Sequence, residues 1–354
     1  MAIEVQKHII EKTASGFVSE DEFFQILKLI APGTNFRAAL EGALRIGKGA
    51  LIVVENEETS ALFDGGFRIN SKFTPQRVME LAKMDGAIIL SDDAKRINYA
   101  NVLLTPSAKI KSAETGTRHK AAERTAKQAG TLTIAISEKR NQITLYYKNV
   151  KYPLLETGEL LRRANEHLQL LEKQRELFDK SVERLTGSEL KNYFDLKYAI
   201  SVVQKGKLIQ KIAKDLKKYS IELGDEATLL KIRLKEITSG VDKETDLVIK
   251  DYTKADVKKT KNELENLSYE EILIDANVCK ALDYGGVNSS GVIKGWRVLS
   301  RTSLLDAEIG MLAKEIDNLK DVLNSDEARF RIVFGDGAIA QTLKMQLDKL
   351  KDNY

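Results

Sequence analysis

Hydrophobic positions follow two regimes along the chain. In the first part they form short continuous runs: Ala50-Leu-Ile-Val-Val54, Ala87-Ile-Ile-Leu90, Asn101-Val-Leu-Leu104, Thr131-Leu-Thr-Ile-Ala-Ile136 and Gln142-Ile-Thr-Leu-Tyr-Tyr147. Runs of this length, rich in β-branched residues, predict strands. The last two are joined by Glu138-Lys-Arg-Asn141, a polar link of hairpin length. Helix signals sit between them. Ser19 and Glu22 form a capping box ahead of the apolar run Phe23 to Ile30. Thr74-Pro75 opens a helix through Leu81, with Pro75 suited to the first turn. Residues 1–150 therefore predict one α/β domain.

From Glu159 the period changes. Leu160, Ala164, Leu168, Leu171, Phe178, Val182 and Leu185 are spaced as one stripe of a long helix, with a break expected at Gly187-Ser188. Further breaks are expected near Gly224, Gly240 and Asn266-Leu-Ser268. Pro32, Pro75, Pro106 and Pro153 are the only prolines. The long proline-free remainder agrees with helix, because an interior proline costs about 3 kcal/mol. Residues 151–285 predict a solvated helical bundle serving as spacer or assembly element. Past Tyr284-Gly-Gly286, short helices are expected, among them an apolar-periodic segment from Ile339 to Leu350 after Gly335-Asp336-Gly337.

Composition narrows the class. The chain has 354 residues, 43% of them apolar and 31% charged, enough for two or three domains with sizeable cores. Lys and Arg number 56 against 52 Asp and Glu, a net charge of +4 that by itself does not call for nucleic acid. One cysteine, Cys279, and three histidines argue against a disulfide or a zinc cluster. No run of 18 apolar residues exists, so no membrane-spanning helix is expected. The stretch from Met1 to Glu11 carries Glu4, Lys7 and Glu11, unlike a signal peptide, and a cytoplasmic location is the expectation.

Three segments of the α/β domain carry candidate chemistry. Met84-Asp85-Gly86-Ala87 runs into a strand and can present the Asp85 carboxylate where backbone meets a ligand. Magnesium-class ions are held by one or two carboxylates plus substrate phosphates. The alternative is an ordinary Asp-Gly turn. Next, Glu114-Thr-Gly-Thr-Arg-His-Lys-Ala-Ala-Glu-Arg124 reads as a helix from Arg118 to Ala129, with Thr117 as N-cap and Gly130 as stop. Its first turn carries Arg118, His119 and Lys120. Cations there are unfavourable unless an anion offsets them, so this helix start reads as a phosphate cradle. Glu123 and Arg124 stand four residues after His119 and Lys120, the spacing for pairs on the helix surface. The alternative is a capped amphipathic helix. Finally, Ser137-Glu-Lys-Arg-Asn141 places Ser137 and Arg140 where they could reach phosphates, or forms only a turn. Neither a Walker loop nor a Gly-x-Gly-x-x-Gly loop is present.

Asp-Gly-Ala at 85–87, Gly-Thr-Arg-His-Lys-Ala-Ala-Glu-Arg at 116–124 and Ser-Glu-Lys-Arg-Asn at 137–141 together resemble the diadenylate cyclase family. The resemblance extends over the whole chain for members with a cyclase domain (1–150), a helical spine (151–285) and a C-terminal helix-hairpin-helix DNA-binding domain (286–354). It implies a multidomain α/β plus all-α protein with a central mixed sheet. It also implies condensation of two ATP into cyclic di-AMP and two pyrophosphates, with Mg²⁺ or Mn²⁺, between two cyclase domains meeting face to face. Asp85 would hold the metal, Arg118 and His119 would be catalytic, and Gly86, Leu104, Thr117, Arg118, His119, Ser137 and Arg140 would bind ATP. An octamer held partly by the spine is implied as well. One departure is Lys120 where the family usually has Arg.

For DNA, the resemblance points to Gly335, Gly337 and Lys344, which would contact phosphates without reading sequence. Asp336 stands where that hairpin usually has an apolar residue, and residues 286–354 hold 10 basic and 10 acidic side chains, so little nonspecific attraction is expected. A competing class is a noncatalytic DNA-binding scaffold that only senses a nucleotide. A Walker-type ATPase is disfavoured by the missing loop.

Overall fold

In the computed structural model, residues 18–316 and 318–352 are described. The Met1–Glu11 stretch lies outside them. The chain divides into two compact units, one of residues up to 164 with 218–230, the other of residues 165–217 with 231–354.

The first unit is built in chain order from α1 (Glu20–Leu29), α2 (Asn35–Arg45), β1 (Leu51–Val54), β2 (Phe63–Asp64), β3 (Phe67–Lys72), α3 (Pro75–Leu81), β4 (Ala87–Leu90), β5 (Arg96–Leu104), α4 (Thr117–Ala129), β6 (Leu132–Ser137), β7 (Gln142–Tyr147) and β8 (Val150–Leu154). All eight strands form one sheet in the order β2-β5-β4-β1-β6-β7-β8, with β3 also pairing β5. β1 and β4 are parallel and the other pairings antiparallel, so the sheet is mixed, as expected.

Both faces of the sheet are covered, which explains why its strands read as continuous apolar runs. On one face Ile52, Ile88, Leu90, Ile134 and Ile136 pack with Phe23, Leu27, Leu40 and Val78 of α1, α2 and α3. On the other, Leu51, Val53, Ala87, Ile89, Val102, Ala135 and Tyr146 pack with Ala122 and Ala126 of α4. The predicted β6–β7 hairpin is present, with Ser137 opposite Gln142. Three strands were not foreseen: β2, β3 and β8. β3 is mostly exposed and polar, so its periodicity carries no signal. Ser19 caps α1 by accepting the Glu22 N–H, while the Glu22 carboxylate turns away to Tyr147 and Lys148.

The remaining chain is helical: α5 (Thr157–Leu190), α6 (Leu196–Glu222), α7 (Thr228–Thr238), α8 (Val241–Tyr252), α9 (Val257–Asn266), α10 (Tyr269–Ile272), α11 (Asp275–Ala281), α12 (Trp296–Leu299), α13 (Asp306–Glu315), α14 (Leu319–Asn324), α15 (Glu327–Phe334) and α16 (Gly337–Asp352). Leu160, Ala164, Leu171, Phe178 and Leu185 of the predicted stripe are buried. The break expected at Gly187-Ser188 does not occur. α5 continues to Leu190 because Thr186, Ser188 and Glu189 are all buried and engaged, and the chain turns only at Asn192, in a left-handed conformation. The breaks near Gly224, Gly240 and Ser268 are found where expected.

Glu189 belongs to a buried network inside the second unit. Arg297 on α12 donates to Glu189 through Nε (3.3 Å) and Nη2, and through Nη1 to Thr186 Oγ1 (3.0 Å) and Glu244 Oε1 (2.7 Å). The Tyr252 hydroxyl also donates to Glu189. Asp251 accepts the backbone N–H groups of Trp296 and Arg297 at 2.7 and 2.9 Å, capping α12. α5, α8 and α12 are thereby fastened together across residue 285.

Candidate nucleotide site

Strand register gathers the predicted segments. Val102, Ala87, Leu51 and Ala135 form a row across four strands on the α4 face. At one end of the sheet lie Leu104 at the close of β5, Asp85 in the bend before β4, Gly49 just before β1 and Ser137 at the close of β6. α4 begins at this end, since a Cβ placed on Gly49 would lie 2.0 Å from Arg118 Nη1. Residues scattered from 49 to 140 in sequence therefore meet at one end of one sheet.

Asp85 is exposed in the bend before β4, with no hydrogen bond or ion pair among the described residues. Gly86 adopts φ +88°, and a Cβ there would fall 2.7 Å from the Asn101 carbonyl carbon. The close approach it permits is thus to the backbone of β5, where Asn101 makes a bulge with φ +54°. Leu104 is half-buried beside Phe63 and Tyr99. A lone carboxylate is too few donors for an all-protein metal cage, and no group of three His, Cys, Asp or Glu occurs among the described residues. It does suit a magnesium-class ion that keeps its waters and takes oxygens from phosphates.

α4 opens differently from expectation. Thr117 is its first residue, not its cap; Gly116 is the N-cap and offers no side chain. The early N–H groups are left without a capping side chain, and Thr117 is exposed beside them. Gly130 ends the helix in a left-handed conformation, as predicted. The expected pairs His119–Glu123 and Lys120–Arg124 do not form. Glu123 binds Lys127 and Ser112, Arg124 holds the carbonyls of Ile110 and Ala108, and Gln128 accepts the Ser107 N–H. These side chains lace the long loop 105–116 onto α4 and fix the helix start.

The Arg118 guanidinium is half-buried in the notch left by Gly49 and has no carboxylate partner among the described residues. Ser137 Oγ accepts the Arg140 N–H at 3.2 Å, so the hairpin is held by its own hydroxyl, and the Arg140 side chain extends into solvent. His119 Nδ1 lies 2.9 Å from the Tyr146 hydroxyl, which donates to Glu114 Oε1 at 3.0 Å. Lys151 forms an ion pair with the same carboxylate. Burial works to raise the Glu114 pKa, but hydrogen bonds from Lys151 and Tyr146 outweigh it and hold the group below the ordinary glutamate value. Burial lowers His119 below the usual histidine value; Glu114 opposes this, while Arg140, Lys151 and Arg118 add to it. Gly49, Glu114, Tyr146 and Lys151 were not singled out from sequence. Glu114 stood at the edge of the motif, but the other three are ordinary strand or loop residues whose roles depend on tertiary neighbours.

In the C-terminal region, Gly335 ends α15 with φ +68° and α16 starts at Gly337. Asp336 Oδ1 accepts the Ala338 N–H at 2.8 Å, and Lys344 pairs with Asp348 at 3.1 Å.

Residues 37–151 match the family described as DisA bacterial checkpoint controller nucleotide-binding, and residues 154–290 match the DisA bacterial checkpoint controller linker region. The chain is similar to the DNA integrity scanning protein DisA of Bacillus subtilis (strain 168), 38% identical over 98% of each chain. The protein of the same name from Symbiobacterium thermophilum is 40% identical over 88% of this chain and 93% of its own. That from Clostridioides difficile (strain 630) is 37% identical over 95% and 97%.

Proposed function

The chain belongs to the DisA family, and from that premise we propose that it is a diadenylate cyclase, condensing two ATP into cyclic di-AMP and two pyrophosphates. The observation that carries this reading is the Arg118 guanidinium, without an ion-pair partner among the described residues, seated against Gly49 at the sheet end that also presents Asp85 and Ser137. A half-buried cation with no carboxylate partner among the described residues, beside a helix start without a capping side chain, suits an anion.

In this reading Thr117, Arg118, His119, Ser137 and Arg140 bind the triphosphate, with Leu104 against the adenine and Gly86 keeping the β4–β5 contact close. Asp85 orients the 3′-hydroxyl of one ATP toward the α-phosphorus of the other. The new bond is 3′-O to phosphorus, the bond from that phosphorus to the bridging oxygen breaks, pyrophosphate leaves and the hydroxyl proton passes to solvent. Asp85 would hold Mg²⁺ or Mn²⁺, which neutralises phosphate charge and acidifies the hydroxyl when bound. Each cyclase domain has one copy of each motif, so closing the ring needs two such domains related by a two-fold axis, within a homo-oligomer read as an octamer.

The same reading divides the chain into a cyclase domain (1–150), a spine (151–285) and a DNA-binding helix-hairpin-helix domain (286–354). Gly335, Gly337 and Lys344 would meet DNA phosphates. That contact requires Asp336 to release the Ala338 N–H and Lys344 to leave Asp348, so affinity should be modest and strongly salt-dependent.

Incubation of the full chain with ATP and Mn²⁺, followed by mass analysis, tests the reaction. Cyclic di-AMP is the expected product. Formation of ADP instead would refute it, and nucleotide binding without any product would favour the noncatalytic scaffold.

A further inference from the structure

His119 is wired in a way that phosphate binding alone does not explain. Its Nδ1 meets the Tyr146 hydroxyl and its Nε2 is buried with no hydrogen-bond partner among the described residues. The roles along this line follow from the far end. Glu114 is ionised, because Lys151 and Tyr146 hold its pKa down, so it can only accept. The Tyr146 proton is therefore committed to Glu114, and burial together with Glu114 raises the tyrosine pKa and keeps that proton in place. Tyr146 oxygen then accepts, and His119 Nδ1 must carry the hydrogen. In a neutral imidazole that leaves Nε2 with a lone pair and no proton.

A lone pair cannot bind a phosphate oxygen, which is also an acceptor. The Cδ2–Nε2 edge of the ring lies at the start of α4, with Cδ2 3.8 Å from where a Cβ of Gly116 would stand. This is the end of the helix that carries Arg118, which has no carboxylate partner among the described residues. Resting on the nucleotide reading of the site, we infer that binding a polyphosphate here is coupled to uptake of a proton by His119 at Nε2. The imidazolium is then held between a phosphate oxygen at Nε2 and the Tyr146–Glu114 line at Nδ1. Glu114, Tyr146 and Lys151 are positioning residues: they touch no nucleotide and act by fixing the hydrogen on Nδ1.

The charges around the ring give the coupling its direction. Arg118 on α4, Arg140 on the β6–β7 hairpin and Lys151 on β8 all disfavour the imidazolium, as does burial, and Glu114 favours it. Glu123 on α4 adds negative charge near Tyr146. Without ligand the cations prevail and the ring stays neutral. A bound triphosphate neutralises Arg118 and Arg140 and brings negative charge to Nε2, so the balance reverses.

The test is calorimetric titration of the full chain with a nonhydrolysable ATP analogue and Mg²⁺, repeated in two buffers of different ionisation enthalpy. About pH 7.5 suits it, because a terminal phosphate with a second pKa of about 6 is already ionised. The expected result is uptake of roughly half a proton or more per protomer, with affinity falling up to about tenfold per pH unit on the alkaline side. His119→Gln should abolish the uptake and serves as the control for protons taken by the ligand. Tyr146→Phe frees Nδ1, lets the neutral ring carry its hydrogen on Nε2, and should reduce the uptake toward zero while binding persists. Binding by the wild-type chain without proton uptake would overturn the inference, as would uptake that survives His119→Gln. Failure to bind the analogue at all would instead overturn the nucleotide reading, and this inference with it.

Discussion

Gly49→Ala is the sharpest test of how the site is built, because it changes one methyl group at a residue that would touch no substrate. Gly49 does not need its flexibility for a positive φ; it needs its empty side. The added Cβ would fall 2.0 Å from Arg118 Nη1, 3.0 Å from Arg118 Cζ and 2.9 Å from the Ile136 carbonyl oxygen. The guanidinium must retreat to about 3.4 Å, and Ile136, bonded through its N–H to Ala50 O at 2.8 Å, can yield little. A displacement of about 1 Å at a positioning group costs on the order of a hundredfold in turnover. Local overpacking should cost about 1–3 kcal/mol of stability. Cyclic di-AMP formation and analogue affinity should therefore both fall steeply while the protein remains folded by circular dichroism. Arg118→Ala separates the causes. If Gly49 acts by seating Arg118, the double variant should be no worse in activity than Arg118→Ala alone. Turnover of Gly49→Ala within about twofold of wild type, with unchanged melting, would refute the seating argument.

Three further outcomes follow from particular groups. Asp85→Asn should leave melting unchanged, since the side chain has no partner among the described residues, and cut turnover roughly a thousandfold or more through loss of metal-borne charge stabilisation; near-normal turnover would remove Asp85 from the mechanism. Glu222 is buried beneath the Tyr152 hydroxyl (2.6 Å), and burial pushes its pKa up to about 7. The folded state therefore holds this proton more tightly than the unfolded chain, so its stabilising contribution is complete below about pH 4.5 and lost as pH rises through about 7. Glu222→Gln should match wild type in denaturant titrations near pH 5 and exceed it by up to about 3 kcal/mol near pH 8; equal curves at both pH values would refute this. Arg297→Met keeps the covering residues and leaves the Glu189 carboxylate buried with only the Tyr252 hydroxyl, a loss of about 3–5 kcal/mol. Adding Glu189→Gln to that variant should recover a measurable part in thermal melts, and no recovery would show that the ion network is not what binds the segments.

Local patterns were enough for much of the fold. The apolar runs located β1, β4, β6 and β7 because a strand covered on both faces must be apolar throughout. The α5 stripe and the breaks at Gly224, Gly240 and Ser268 were legible because helix period and backbone punctuation are properties of a few consecutive residues. Asp85, Arg118, His119 and Ser137 were also named from sequence, as motifs whose residue types would fit a polyphosphate, and the sheet brings their segments to one end.

What sequence could not decide was everything set by residues distant along the chain. Gly187 looks like a helix break, yet α5 runs on to Leu190, and its Glu189 is held by Arg297, 108 positions away. Thr117 looks like a cap, but the entry of the 105–116 loop, laced to α4 by Glu123, Arg124 and Gln128, moves the cap to Gly116. β3 is invisible to periodicity because an exposed edge strand has no face to bury. The tautomer of His119 depends on Tyr146 and Glu114, brought to it from β7 and the preceding loop. Hydrophobic period and turn chemistry are local and additive, so a sequence determines them; seating, pairing and protonation arise only when the sheet has set its register, and the tertiary structure decides them.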